Sequence, residues 1–201
     1  MNSKYKLLIV LVLLVFSTAT YAQQEIEKMI QIRAAEKVSQ MCDYIEFMAN
    51  PENGNDVRNK YKGKAVRLFV ANCEPYEDEG IRRKGVEMEI TSTLRKKPRR
   101  RLMKDYFTGL MNMRYSKVQI KSSDIHDIQL SELRKIDDNT FVCTAVFVQV
   151  FIGYRDGRPI YSDRTKKSVK CYVYKEETIE GNEYIVKLGD TKALETQKLK
   201  L

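Results

Sequence analysis

From Glu25 to Ala49 the apolar residues Ile26, Ile30, Ala34, Val38, Met41, Ile45 and Met48 recur at steps of three and four, with charged residues between them. That spacing draws one stripe down an amphipathic helix. Asn50-Pro51 stops it, because the residue before a proline is pushed out of the helical region. Asn53-Gly54-Asn55-Asp56 then offers capping side chains. Val57, Tyr61, Ala65 and Leu68 restart the helical period, which predicts a second helix to about Val70.

The stretch from Glu74 to Gly85 is polar and interrupted by Pro75, Gly80 and Gly85, and reads as a loop or short hairpin arm. Val86, Met88 and Ile90 next alternate with Glu87, Glu89 and Thr91, the two-residue period of a strand with one wet face. Pro98 suits the first turn of a third helix, with Leu102, Met103, Phe107, Leu110 and Met111 on its apolar side. Four strand-like segments follow: Tyr115 to Ile136, bent near Ser122-Ser123; Thr140 to Tyr154; Pro159 to Lys175; and Tyr184 to Leu194. The turn signals between them, Asp137-Asp138-Asn139, Asp156-Gly157 and Glu180-Gly181-Asn182, are short enough to require antiparallel neighbours. Helices first and a meander afterwards make an α+β fold, N-terminal helices packed on a curled antiparallel sheet.

Phe141 to Ile152 is apolar at nearly every position, whereas a strand with one solvated face should alternate. Both faces are therefore expected to be covered, one by the helices. For the other, the simplest cover is the same sheet of a second subunit across a twofold axis, giving a homodimer. The competing cover is the first helix or the C-terminal tail.

The N-terminus has its own layout. Lys4 and Lys6 precede an uncharged apolar run from Leu7 to Phe16, and small polar residues lead to Thr20-Tyr21-Ala22. This is the plan of a secretory signal peptide over residues 1–22, cleaved after Ala22. The apolar run is about 10 residues where a membrane-crossing helix needs roughly 20, so no transmembrane segment is expected once the signal is removed. Residues 23–201 are the length of a single domain. The expected location is periplasmic or secreted.

The chain carries a net charge of +9 and stays basic without Lys4 and Lys6, which favours anionic partners. Four cysteines, Cys42, Cys73, Cys143 and Cys171, and a single histidine, His126, supply no four-ligand zinc spacing. No metal or cofactor is expected. An oxidising compartment permits disulfides. A three-residue loop at Asp156-Gly157-Arg158 would set Cys143 opposite Cys171, whereas a two-residue turn would put them on opposite faces. The alternative is four buried thiols acting as small apolar residues.

Three N-terminal helices, a short strand before the third, and then a long bent sheet resemble the cone-shaped fold of the nuclear transport factor 2-like superfamily, from Glu25 to about Thr196. Arg155-Asp156-Gly157-Arg158, Asp163-Arg164-Thr165 and Lys187-Leu188-Gly189-Asp190 are similar to segments of uncharacterised exported members from anaerobic Gram-negative bacteria. The resemblance implies dimers and a pocket that is an active site in some members and only a binding site in others. It fixes no function.

A dehydratase or isomerase in such a cone needs a titratable base facing the pocket. His126, flanked by Asp124 and Asp127, is the one place where base and carboxylate adjoin in sequence. The bland account is a surface histidine beside two acids. Tyr106, Tyr115, Tyr154, Tyr161, Tyr172, Tyr174 and Tyr184 are candidates to line a pocket or to pack half-buried on strands. No phosphate loop, nucleophile elbow or metal cluster is present in the sequence. Arg95-Lys96-Lys97-Pro98-Arg99-Arg100-Arg101 is the densest charge, and Lys96, Lys97, Arg99, Arg100 and Arg101 are candidate contacts for an anionic lipid, glycan or other envelope component. At a helix N-terminus those cations would oppose the macrodipole. No aromatic-basic motif supports nucleic-acid binding. The leading expectation is an exported non-catalytic binding or accessory module. The alternatives are a pocket enzyme of dehydratase or isomerase type and an anionic lipid- or glycan-binding protein.

Overall fold

The computed structural model describes the backbone of residues 3–95 and 97–200 and the side chains of residues 24–95 and 97–200. Helix α1 (Ser3–Ala49) carries the expected stripe: Ile30, Ala34, Val38, Met41, Ile45 and Met48 are buried, while Ile26 at the start of the stripe is exposed. The side chains of the apolar run from Leu7 to Phe16 and of Ala22 lie outside the described residues.

Helix α2 (Asn55–Val66) ends earlier than its period suggested. Just beyond, Ala71, Asn72 and Cys73 take left-handed backbone angles, with φ of 47, 51 and 62°, so the chain turns away there instead of continuing as a right-handed helix. Ala65 and Leu68 are buried as the stripe requires, but its first position is not. Val57 is exposed and Arg58 is buried, donating to the carbonyls of Met48 at 3.2 Å and Met111 at 3.1 Å and to Asn55 Oδ1 at 2.6 Å. A buried guanidinium is tolerated only with such partners. Here it satisfies helix-end carbonyls that have no partner of their own.

Strands β1 (Tyr76–Asp78) and β2 (Ile81–Arg83) form the expected hairpin arm, turned by Glu79-Gly80, both at positive φ. Strand β3 (Glu87–Ile90) pairs antiparallel with β4 (Arg99–Leu102), and α3 (Met103–Met111) begins only after it. The expected helix start at Pro98 is therefore corrected: Glu89 lies opposite Arg100 in the ladder and ion-pairs with it at 3.2 Å, which holds the arginine run in a strand. Arg99 and Arg100 thus stand on a strand rather than in a helix's first turn, and only Arg101, next to the N-cap Leu102, adjoins the helix end. The first turn of α3 carries Asp105 instead, the sign that a helix N-terminus favours.

The remaining strands are β5 (Lys117–Ser122), β6 (Gln129–Leu130), β7 (Arg134–Lys135), β8 (Thr140–Arg155), β9 (Arg158–Thr178) and β10 (Gly181–Lys198). The sheet runs β4-β3-β10-β9-β8-β5, and β6 and β7 continue along the β8 edge beyond β5. The segment from Tyr115 to Ile136 is thus one interrupted edge, broken by a 3-10 turn at Ile125–Asp127 where a bend was expected. The sheet is not wholly antiparallel. β10 meets β3 in parallel, with Thr191 opposite Met88, because each strand's direction is set by its own hairpin partner and the last strand slots between them. The architecture is α+β, helices on one face of a mixed sheet.

The β8–β9 turn is Asp156-Gly157, both at positive φ, the two-residue hairpin form. A bulge at Gly153/Tyr154 then shifts the register by one. Cys143 and Cys171 therefore face each other despite the short turn, and both stand as buried thiols.

The inward face of β8 carries Cys143, Ala145, Phe147, Gln149 and Phe151. On the other face Val146, Val148, Val150 and Ile152 are half-buried, and Val148 and Val150 lie beside Lys166 and Arg164 of β9. Among the described residues, neither α1 nor the C-terminal tail covers that face. α1 packs on the inward side, and the tail is strand β10 itself.

Candidate functional site

Between α3, the β3–β4 connection and the inward face of β8 and β9 lies a cavity of about 370 Å³. Its walls follow from strand periodicity. In β9 the buried apolar residues Val169, Cys171 and Val173 share the inward face. Stepping back by twos puts Lys167, Thr165 and Asp163 on that face, where the helices no longer fill the space. Gln149 does the same on β8. The apolar lining comes from Ile90 and Leu94 near β3, Tyr106, Leu110 and Met113 around α3, and Tyr115, Ile120 and Phe151 of the β5–β8 edge.

Lys167 is buried, and its Nζ donates to Gln149 Oε1 at 2.8 Å. Loss of hydration pulls its ammonium down to about 8, against the pull of Cys42 and Asp163, which favour the charged form. Burial in turn pushes the Asp163 carboxyl up, opposed by the Tyr161 hydroxyl that donates to it and by the Lys167 charge. Gln149 is also buried, and with its oxygen engaged by Lys167 its Nε2 has no partner among the described residues. The site therefore holds an amine and a carboxyl shifted toward one another's range, together with an unused donor. Perturbed groups in a cavity mark candidate functional sites.

The rim is fastened from the same residues. Tyr161 Oη, while donating to Asp163, accepts from the Thr93 backbone N–H at 3.2 Å and lies 2.8 Å from Ser92 Oγ. This ties the connection between β3 and β4 across the mouth. Leu94 stands 79% exposed on that connection, and Arg95 and Arg101 line the same opening. Gly153 makes room on the far wall: a Cβ there would run into the Tyr115 ring, which packs edge-on to Phe151 with ring centres 5.6 Å apart.

Of the tyrosines singled out from sequence, Tyr106, Tyr115 and Tyr161 line the cavity. Tyr154 donates to Gln119 Oε1 at 2.6 Å and Tyr172 to Asp78 Oδ1 at 2.7 Å, outside it. His126 and Asp124 lie at the 3-10 turn before β6, both exposed, and neither lines the cavity. A polar turn needs no core contacts, so nothing draws it inward. The basic run divides. Lys96 lies outside the described residues; Lys97 and Arg99 are exposed, Arg100 is held by Glu89, and Arg101 turns to the cavity mouth. Cations on the exposed edge strand β4 also serve the ordinary purpose of discouraging edge-to-edge pairing. Among the described residues no group of three or more His, Cys, Asp or Glu is placed to hold a metal ion.

No protein-family model matches the chain, and no curated protein matches it either. Among solved structures it is similar to the crystal structure of a putative scytalone dehydratase from Novosphingobium aromaticivorans, at 12% identity and a TM-score of 0.41, covering 87% of this chain and 91% of that one. That likeness is too slight to carry an inference about activity.

Proposed function

We propose that this chain is a cone-type member of the nuclear transport factor 2-like superfamily whose cavity binds a small, partly apolar ligand bearing hydrogen-bond acceptor oxygens. The reading rests above all on Gln149 Nε2, a buried donor with no partner beside the Lys167 amine. Unpaired buried donors are costly, on the order of 1–3 kcal/mol, and a ligand oxygen relieves that cost. Arg95 and Arg101 at the mouth attract an acidic ligand, and the aromatic wall accepts its apolar part. Export by the N-terminal signal and pairing through the outer face of β8 complete the proposal.

Thermal-shift and calorimetric titration of the purified chain with small aromatic and aliphatic carboxylates, aldehydes and ketones test it. At least one of these should bind, and Gln149→Leu should weaken that binding about tenfold, the worth of one hydrogen bond of about 1.4 kcal/mol. No binding across the set, or binding that ignores Gln149→Leu, would contradict the assignment.

A second reading is supported by Asp163. A buried carboxyl displaced upward and an amine displaced downward in the wall of one cavity are the kind of groups that acid and base chemistry uses near neutral pH. In that reading Asp163 and Lys167 move the proton of a dehydratase- or isomerase-type step, and His126 has no part.

A further inference from the structure

We infer that Lys167 is a covalent site: its side-chain amine condenses with an aldehyde or ketone carbonyl held in the cavity to give a reversible imine. The inference rests on the cavity's being a ligand site, and adds to it the bond that forms there.

Three observations carry it. The amine is buried in the cavity wall and makes one hydrogen bond, to Gln149, so a lone pair is open to an electrophile once the amine is neutral. A desolvated lysine near neutrality is the ordinary form of an imine-forming nucleophile. Gln149 contributes the neighbouring free donor, Nε2, where a carbonyl oxygen would rest while its carbon faces the amine. Asp163, buried on the same face of β9 two residues beyond Thr165, supplies the acid.

The step balances without a further reagent. The Lys167 nitrogen lone pair forms a bond to the carbonyl carbon, and the π electrons of the carbonyl move to its oxygen. That oxygen takes a proton released by the nitrogen, giving a carbinolamine. Asp163, holding the proton that the Lys167 ammonium gave up on becoming neutral, then passes it to the hydroxyl, which leaves as water as the nitrogen lone pair makes the C=N bond. The products are a protonated imine, one water and the Asp163 carboxylate, and hydrolysis runs the same path backwards.

Benzaldehyde, small enough for the cavity, is the probe. The purified chain is incubated with it at about pH 7.5 with sodium cyanoborohydride, which reduces imines in place, and the modified lysines are located by peptide mass mapping. Lys167 should be labelled at least about tenfold faster than any other lysine, because a larger fraction of it is neutral at that pH. Gln149→Leu and Asp163→Asn should slow labelling at Lys167 while leaving the surface lysines unchanged. Lys167→Arg should remove the fast site. A parallel thermal-shift titration without the reductant separates the two claims. Benzaldehyde that stabilises the chain while Lys167 is labelled no faster than surface lysines overturns the imine and leaves the binding site standing. Neither stabilisation nor fast labelling overturns both.

Discussion

Lys167 on β9 reaches diagonally across the strand pair to Gln149 on β8, its Nζ donating to Oε1 at 2.8 Å, with both side chains buried at the wall of the cavity. Cross-strand diagonals of this kind are within reach of long side chains. The consequence is a polar contact placed where the pattern of both strands elsewhere buries valine, cysteine and phenylalanine.

An apolar core position given to an amine should cost stability in a pH-dependent way. The folded chain holds Lys167 at about 8 and the unfolded chain near its ordinary value of 10.5, so between those values the unfolded state binds more protons. Stability from this group therefore rises with pH across that window, and the penalty is fully present below about pH 8. Comparing wild type with Lys167→Met cancels most contributions from the buried tyrosines and cysteines. The variant should be more stable by up to about 3 kcal/mol near pH 6, and the advantage should shrink as pH approaches about 10.5. Urea unfolding of both chains at a series of pH values checks this.

Tyr161 links the buried carboxyl to the rim. Tyr161→Phe removes the bond to Asp163 and the contacts with Ser92 and the Thr93 N–H. It should destabilise the chain by about 1–2 kcal/mol. Amide exchange of residues 92–95 should quicken more than that of β8 and β9, which hydrogen-exchange mass spectrometry reads directly.

The close approach of Tyr115 to Gly153 predicts a coupled pair. Gly153→Ala forces the ring aside at a cost of about 1–3 kcal/mol. In Tyr115→Ala the space is already open, so Gly153→Ala added to it should cost markedly less. A double-mutant cycle by denaturant unfolding measures the difference.

Arg58 makes a sharper case. Arg58→Met leaves the carbonyls of Met48 and Met111 without its donors at the junction of α1, α2 and α3. Loss of about 3 kcal/mol is expected, from two charge-assisted bonds. Arg58→Lys should recover part of it, since a single ammonium cannot span all three acceptors.

The sequence made the skeleton legible because periodicity is a direct image of burial. The three-and-four stripe from Glu25 to Ala49 and the alternation at Val86–Thr91 fall on α1 and β3, and the turn signals at Asp156-Gly157 and Glu180-Gly181-Asn182 fall between the long strands β8, β9 and β10, although α1 extends back to Ser3. Pro98 misled because a helix-start signal is local, while the strand β3 that Arg99–Leu102 pairs with, and its Glu89 that ion-pairs with Arg100, lie earlier in the chain. The cysteine register came out as one of two open alternatives, and the structure reached it by a two-residue turn plus a bulge, which no local rule couples. The site was half legible. Tyr106, Tyr115 and Tyr161 stand out in the sequence and line the cavity, whereas His126, the one place where base and carboxylate adjoin in sequence, lies on an exposed turn. The better signal was in the alternation itself: extended back from Val169, Cys171 and Val173, it sets Lys167 and Asp163 on the inward face. What sequence could not supply is where the helices end, and that decides whether an inward polar residue meets packing or an opening.

Everything proposed for the cavity depends on the Lys167 amine losing its proton near neutral pH. Trace acetylation of the purified chain with acetic anhydride between about pH 6 and 11, with each lysine quantified by mass spectrometry, titrates that amine directly. The account predicts a midpoint for Lys167 near 8, well below those of the exposed lysines. A Lys167 midpoint at 10.5 with the surface lysines, or no reaction at Lys167 at any pH, would contradict it.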